Sequence, residues 1–490
     1  MRSLPLRVAV AAGLVAVAAG LALLAPPAAA QEEAYFPETD SLALARLEHW
    51  QDLKLGLLLH WGPYSQWGIV ESWSICPEDV PWIAQRSIED YADYKKAYEN
   101  LQTTFDPRGF DPERWAEAAR DAGMKYVVFT TKHHDGFAMF DTKLSDYRIT
   151  SPRTPFSASP KADVTRAIFD AFKSRGFMIG AYFSKPDWHS EDYWWPYFAT
   201  PDRNPNYSIA RYPERWARFV EYTHAQVREL MSNYGRVDIL WLDGGWVRPL
   251  SAGEIRARLN RPDYEFARVQ SQDIDMPRLV REARALQPGL IVVDRAVAGP
   301  YQNYLTPEAR VPASPIPHPW EVPMPMALSW SYVPDDQYKS ARELVHMLVD
   351  VVAKGGNLLL NIGPGPDGRW HEAAYERLRE LGAWLRVNGE AIYGTRAMTP
   401  HASGRIRFTR GKDDVVYAIY LAEDEAPGVP RSAALSGVRP AAGARVTLLG
   451  SNARVTWVAT PDGAELRLPA GVRAPAGHAW AFRISRIAVP

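Results

Sequence analysis

The chain has 490 residues, 56 of them basic and 57 acidic, for a formal charge of −1, so there is no basic field to draw in nucleic acid. A single cysteine, Cys76, rules out an intrachain disulfide and leaves stability to a large core. The 18 tryptophans and 23 tyrosines are more than core packing usually requires, and flat aromatic walls suit the C–H faces of a neutral glycan.

Arg2 and Arg7 precede a long Ala/Val/Leu run that ends in Ala28-Ala29-Ala30, the pattern of a signal peptide cleaved after residue 30. No later stretch approaches the roughly 20 apolar residues of a membrane span. The mature chain is therefore expected to be exported, either periplasmic or secreted, with 54 basic residues against 57 acidic ones.

Residues 31–395 alternate short apolar runs with amphipathic stretches. The runs LGLLLH (55–60), KYVVFTT (125–131), MIGAYFS (178–184), VDILWL (237–242), LIVVD (290–294) and NLLLNI (357–362) read as parallel strands buried on both faces. ALSWSY (327–332) is a candidate seventh strand, and no eighth is evident. Glu113–Ala122 and Ala210–Asn233 carry apolar residues at helical spacing. Repeated units of this length predict a (β/α)8-like TIM barrel, possibly irregular. Residues 396–490 change character: RIRFTRG, VVYAIYL, RVTLLG, RVTWVA, ELRLP and HAWAFRIS are short, partly alternating and separated by Gly, Pro and Asp. They predict an antiparallel β-sandwich, either a sugar-binding module or a buttress.

In a barrel the residues that end each strand point into the C-terminal mouth, where active sites form. By that rule His60 follows the first strand, His133 and His134 the second, Tyr182 and Asp187 belong to the third, and Trp241 and Asp243 to the fourth. Trp61, Trp67, Trp73, Trp188, Trp246 and Trp320 sit at strand exits or in polar loops and are candidate sugar walls. A metal centre fits poorly, because HExxH, a His-x-His on the first strand and the Cys/His spacing of a structural zinc site are all missing. A G-x-S-x-G nucleophile elbow is missing too. The imidazoles read instead as hydrogen-bond partners for hydroxyls, with no metal and no cofactor.

Taken together, LKLGLLLHWGPYSQWG, TTKHHDGFAMF, WLDGG, DRA, TPE, PWE, LSWSY and KGGNLLLNIGPGPDG resemble the α-L-fucosidases of glycoside hydrolase family 29, over roughly residues 36–395. The resemblance implies an exo-acting, metal-free enzyme that removes terminal α-L-fucose from oligosaccharides or glycoconjugates with retention of configuration. It puts the nucleophile at Asp243. It implies an acid/base on a later loop, for which Glu308 in YLTPEA is favoured and Glu321 in HPWEVP is the runner-up. By matching position His60, Glu71, His133, His134, Tyr182, Trp241 and Arg295 would bind the sugar. This chain reads VESWS where many members place a tryptophan directly after the glutamate, so Trp73, or Trp67, would take that wall. Two alternatives stay open from the residues alone: another retaining exo-glycosidase such as a galactosidase, and a catalytically silent fucose-binding protein.

Overall fold

A computed structural model describes residues 34–77, 88, 90–198, 202–259, 270–423, 428–472 and 477–488. The predicted signal peptide lies outside these residues. Among them no helix is long and apolar enough to cross a membrane.

Seven parallel strands form the main sheet: β1 (Leu55–Leu59), β2 (Tyr126–Lys132), β3 (Met178–Ser184), β4 (Ile239–Asp243), β5 (Ile291–Asp294), β6 (Glu321–Pro325) and β7 (Asn357–Ile362). Their order is β5-β4-β3-β2-β1-β7-β6, a curled sheet in which β2 is central. Nine helices accompany the described residues: α1 (Ser41–Leu53), α2 (Tyr91–Glu99), α3 (Pro112–Asp121), α4 (Val164–Lys173), α5 (Pro213–Asn233), α6 (Ala252–Leu259), α7 (Met276–Leu286), α8 (Ala341–Ala353) and α9 (Glu372–Asn388). Local chemistry marks their starts. Asp111 and Asp163 cap α3 and α4 through their carboxylates, Pro112 opens α3, and Ser340 with Glu343 forms a capping box on α8.

The strands are apolar on both sides because each side has its own core. Leu58, Tyr126, Val128, Tyr182, Ile239, Trp241, Ile291, Val293 and Leu359 fill the concave interior, joined by Leu47 and Trp50 from α1. Their strand neighbours Leu57, Leu59, Val127, Phe129, Leu240, Leu242, Val292, Leu358 and Leu360 pack outward under the helices. Period-two alternation is therefore strict, and it decides which strand-end residues face inward.

The seventh strand is not ALSWSY but EVPMP, and residues 327–332 form a loop. Pro323 and Pro325 disguise β6 in the sequence. A proline removes a ladder donor and is tolerated because β6 lies at the end of the strand order. No eighth regular strand appears among the described residues. In its place residues 302–305 bridge the gap: Asn303 N–H donates to the Val292 carbonyl at 2.9 Å, and Glu321 N–H donates to the Leu305 carbonyl at 2.8 Å. Isolated bridges Val293–Gln302 and Leu305–Trp320 mark the same seam.

The remaining strands are β8 (Ala402–Ser403), β9 (Ile406–Arg410), β10 (Val416–Leu421), β11 (Ser432–Ser436), β12 (Val446–Leu448), β13 (Thr456–Thr460), β14 (Gly463–Arg467) and β15 (Ala479–Ile484). They make a five-stranded sheet, β12-β15-β10-β9-β8, and a three-stranded sheet, β11-β14-β13, with antiparallel pairings. Sequence reasoning missed the two-residue β8 and the small-residue β11. In β10, Val416 and Ala418 face the second sheet, whereas Tyr417, Ile419 and Leu421 join the core beneath the barrel helices. Trp384 of α9 donates its indole N–H to the Ala479 carbonyl at 2.8 Å across that junction.

Candidate active site

A cavity of about 490 Å³ opens at the C-terminal ends of the parallel strands. Its lining includes His60, Glu71, Trp73, His133, His134, Tyr182, Trp241, Asp243, Arg295 and Glu308. Alternation explains several at once. Residues 58 and 60, 180 and 182, 241 and 243, and 293 and 295 share the inward side, so His60, Tyr182, Trp241, Asp243 and Arg295 converge from four chain segments.

His133 and His134 are adjacent, so a continuing strand would send them to opposite faces. The strand does not continue. The pairing of β2 with β3 shifts register between Thr130 and Lys132, and the chain then turns at Gly136, whose φ is +82°. A Cβ at Gly136 would meet Oδ1 of Asp187 at 2.2 Å, so the turn needs glycine for space as well as for conformation. Asp135 accepts from the Tyr98 hydroxyl at 2.7 Å and from Phe137 N–H at 3.1 Å, fixing the turn. Asp187, expected at the rim, is instead buried against Lys132 Nζ at 3.0 Å and does not line the cavity.

Asp243 is the most heavily partnered group in the cavity. Oδ2 accepts from the Tyr182 hydroxyl at 2.6 Å, and Oδ1 accepts from Arg295 at 2.7 Å and from Gly244 N–H at 2.7 Å. Burial alone would raise its pKa. The Arg295 charge and these hydrogen bonds outweigh burial and hold the carboxyl well below the usual range. The other arm of Arg295 donates to Glu308, whose side chain is 47% exposed, so one guanidinium joins the two carboxylates.

Burial drives the remaining ionisable groups toward neutrality. It lowers His60 to about 4 and His134 to about 3, and pushes His133 well below 6.5. It raises Glu71 to about 8, helped by the charge on Asp243. His60 Nδ1 lies 3.1 Å from Oδ1 of Asn361, and His133 Nδ1 hydrogen-bonds the Ser72 hydroxyl. His134 Nδ1 and Glu71 Oε1 are buried without a hydrogen-bond partner, an arrangement that costs free energy until something polar arrives.

His133, His134 and Asp243 offer donor atoms within 4.8 Å of one another, a spacing that a metal ion could use. The fit is poor on charge and on occupancy. Both Asp243 oxygens already accept hydrogen bonds, one of them from the Arg295 cation.

Glu321 stands apart from this cavity. It begins β6 at the N-terminal end of the sheet, fully buried, where it accepts from the Tyr126 hydroxyl at 2.6 Å and from Trp241 Nε1 at 3.2 Å. Burial raises it to about 7 despite those bonds.

A family model described as alpha-L-fucosidase matches residues 22–390. The chain belongs to the α-L-fucosidase family. It is 28% identical over 474 residues to the plasma alpha-L-fucosidase of Homo sapiens, covering 92% of each chain. It is also 28% identical to the tissue alpha-L-fucosidase of Rattus norvegicus, covering 92% of this chain and 93% of that one. Among solved structures, alpha-L-fucosidase isoenzyme 1 from Paenibacillus thiaminolyticus superposes with a TM-score of 0.71 at 29% identity, over 92% of this chain and 100% of that one. A GH29 alpha-L-fucosidase from Bacteroides thetaiotaomicron, described as a trapped covalent intermediate, shares the fold with a TM-score of 0.69 at 22% identity, over 94% of this chain and 99% of its own.

Within this fucosidase cavity the aromatic expectations sort cleanly. Trp73, Tyr182, Trp241 and Trp246 line it. Trp73 packs edge-on to His134 at 5.2 Å, whereas Trp67 packs on Tyr94 and Tyr98 away from it. Trp61 and Trp320 are core residues, and Trp188 backs Trp73 from behind without reaching the lining. Sequence reasoning missed Trp330, Leu58, Pro323, Arg203, Arg248 and Arg258. Trp330 lay hidden in the segment misread as a strand. The three arginines stand on stretches with no strand-end signal.

Proposed function

We propose that this α-L-fucosidase is an exo-acting, retaining enzyme that releases terminal α-L-fucose from oligosaccharides or glycoconjugates, with Asp243 as nucleophile and Glu308 as acid/base. The observation that carries the reading is the bridge through Arg295. Retention needs one carboxyl kept ionised to attack C1 and a second that exchanges a proton with the leaving oxygen and then with water. Arg295 cannot lose its proton, so the buried Asp243 stays charged beside it. Glu308, half exposed, is in contact with the solvent that supplies and removes protons. Glu321 lacks that access.

Around C1, His60, His133 and His134 are neutral; Nδ1 of His60 and of His133 is engaged by Asn361 and Ser72, which leaves their Nε2 atoms and Nδ1 of His134 to meet hydroxyls. His134 Nδ1 and Glu71 Oε1 are buried without a hydrogen-bond partner, and a sugar hydroxyl would satisfy either. Leu58, Pro323 and Trp330 provide apolar lining against which the C6 methyl of a 6-deoxy sugar can pack. Hydrolysis of an aryl α-L-fucoside followed by NMR tests the reading: α-L-fucose should be the first product anomer, and β-L-fucose would mean inversion.

Export is part of the same proposal. It is supported by Arg2, Arg7, the apolar run and the small residues at 28–30. Mass spectrometry of the mature protein should find its N-terminus at Gln31; retention of residues 1–30 would overturn it.

A further inference from the structure

Behind the cavity wall, one amide touches two lining residues at once. Asn361 lies on β7, and because Leu359 faces the concave interior, period two sends the Asn361 side chain the same way. It is buried and does not itself line the cavity. Its partners, His60 and Trp330, both do.

An amide side chain fills nearly the same space when turned over, so which end is oxygen follows from its partners. Here both partners are of fixed sign. The Trp330 backbone carbonyl can only accept, and Asn361 Nδ2 donates to it at 2.6 Å. The His60 backbone N–H can only donate, and Asn361 Oδ1 accepts from it at 3.2 Å. Turning the amide over would set its oxygen against the Trp330 carbonyl and its NH2 against the His60 N–H, leaving both backbone groups unpaired in a buried setting.

The same Oδ1 lies 3.1 Å from His60 Nδ1. An amide oxygen has no proton to give, so Nδ1 carries the proton in this bond. Turning the imidazole over would put a ring carbon at Oδ1 and lose the bond. Burial lowers the His60 ring to about 4, so at neutral pH it holds a single N–H proton, and that proton is on Nδ1. Nε2 is left with its lone pair and no hydrogen-bond partner among the described residues, on a ring that lines the cavity.

We propose that Asn361 is a positioning residue: by holding His60 as the Nδ1–H tautomer it makes Nε2 an acceptor, so that His60 takes a fucose hydroxyl only as a donor. The inference rests on the fucosidase reading and adds the direction of one hydrogen bond to it. The other arm of the amide serves the same site, since it pins the backbone of Trp330, whose ring lies 5.5 Å from that of His60.

The test reads the proton first and its use second. In protein carrying 15N in its imidazoles, near neutral pH, the His60 signals are those absent from His60→Gln. Nδ1 should show the shift of a protonated nitrogen and Nε2 that of an unprotonated one; the reverse pattern overturns the proposal. Inhibition constants are then measured for L-fucose and for analogues in which the C2, C3 or C4 hydroxyl is replaced by hydrogen or by fluorine. Neither replacement can donate, so at the position that meets His60 both should weaken binding to the wild type alike, by roughly tenfold or more. The absence of any such position overturns the proposal. In Asn361→Leu the ring is free to carry its proton on Nε2, and fluorine, which accepts, should become better tolerated than hydrogen at that position; losses identical to the wild type count against Asn361 as the residue that sets the tautomer. Asn361→Asp still accepts from Nδ1 and should keep it protonated. Should Asn361→Leu fail to fold, the wild-type spectrum and analogue series decide alone. A protein that neither binds L-fucose nor releases it from an aryl α-L-fucoside would instead remove the fucosidase reading, and this inference with it.

Discussion

The guanidinium of Arg295 lies 2.7 Å from Oδ1 of Asp243, and its other arm reaches Glu308. A positive charge that close keeps Asp243 ionised in a buried setting that would otherwise protonate it. Asp243→Gly should therefore lower kcat on the order of 10³-fold or more while fucose still binds. Azide should restore slow turnover of an activated fucoside and give the inverted β-fucosyl azide. Turnover near the wild-type rate in Asp243→Gly would remove it as nucleophile.

Chelation separates the hydroxyl-binding role of His133 and His134 from a metal site. Their donor atoms and those of Asp243 lie within 4.8 Å of one another, but Arg295 and Tyr182 already occupy the carboxylate. Prolonged EDTA treatment and gel filtration should leave kcat/KM unchanged. Loss of activity that zinc restores would revive a metal mechanism.

Glu71 gives the activity a pH signature. Its pKa is raised to about 8, so the carboxyl is neutral below that pH and can donate to a hydroxyl; above it, a second negative charge appears near Asp243. Activity should fall as pH rises through about 8. Glu71→Gln keeps a donor and cannot ionise, so it should remove that alkaline limb while raising KM several-fold. An alkaline limb unchanged in Glu71→Gln would assign it to another group.

Much of this was legible in the chain because strand ends in a barrel obey period two. LGLLLH, MIGAYFS and WLDGG locate His60, Tyr182 and Asp243 without any knowledge of packing, and the structure brings them to one cavity. What the sequence concealed depended on position in the sheet. EVPMP carries two prolines that argue against a strand anywhere but at an edge, and only the strand order shows β6 to be one. Asp187 looked like a rim carboxylate because its partner, Lys132, lies 55 positions earlier in the chain. Arg203, Arg248 and Arg258 carry no periodic signal, since loops and a short helix deliver them.

The choice between Glu308 and Glu321 yields the most discriminating prediction. A general acid matters in proportion to how poor the leaving group is, because a good leaving group departs without a proton. Glu308→Ala should thus cripple hydrolysis of natural oligosaccharides far more than release of dinitrophenolate. The second step also needs a base toward water, and azide, which needs none, should restore it and yield the retained α-azide, the opposite anomer to the one expected from Asp243→Gly. Glu321 is placed differently. It is buried at the start of β6 and ties the Tyr126 hydroxyl to the Trp241 indole inside the barrel. Glu321→Ala would orphan both donors and should cost about 1–3 kcal/mol of stability, read as a lowered urea midpoint. Its activity loss should be alike for good and poor leaving groups. If Glu321→Ala instead showed the leaving-group dependence and the retained azide, with Glu308→Ala showing neither, the acid/base would lie in the barrel interior and the Arg295 bridge would have to be purely structural.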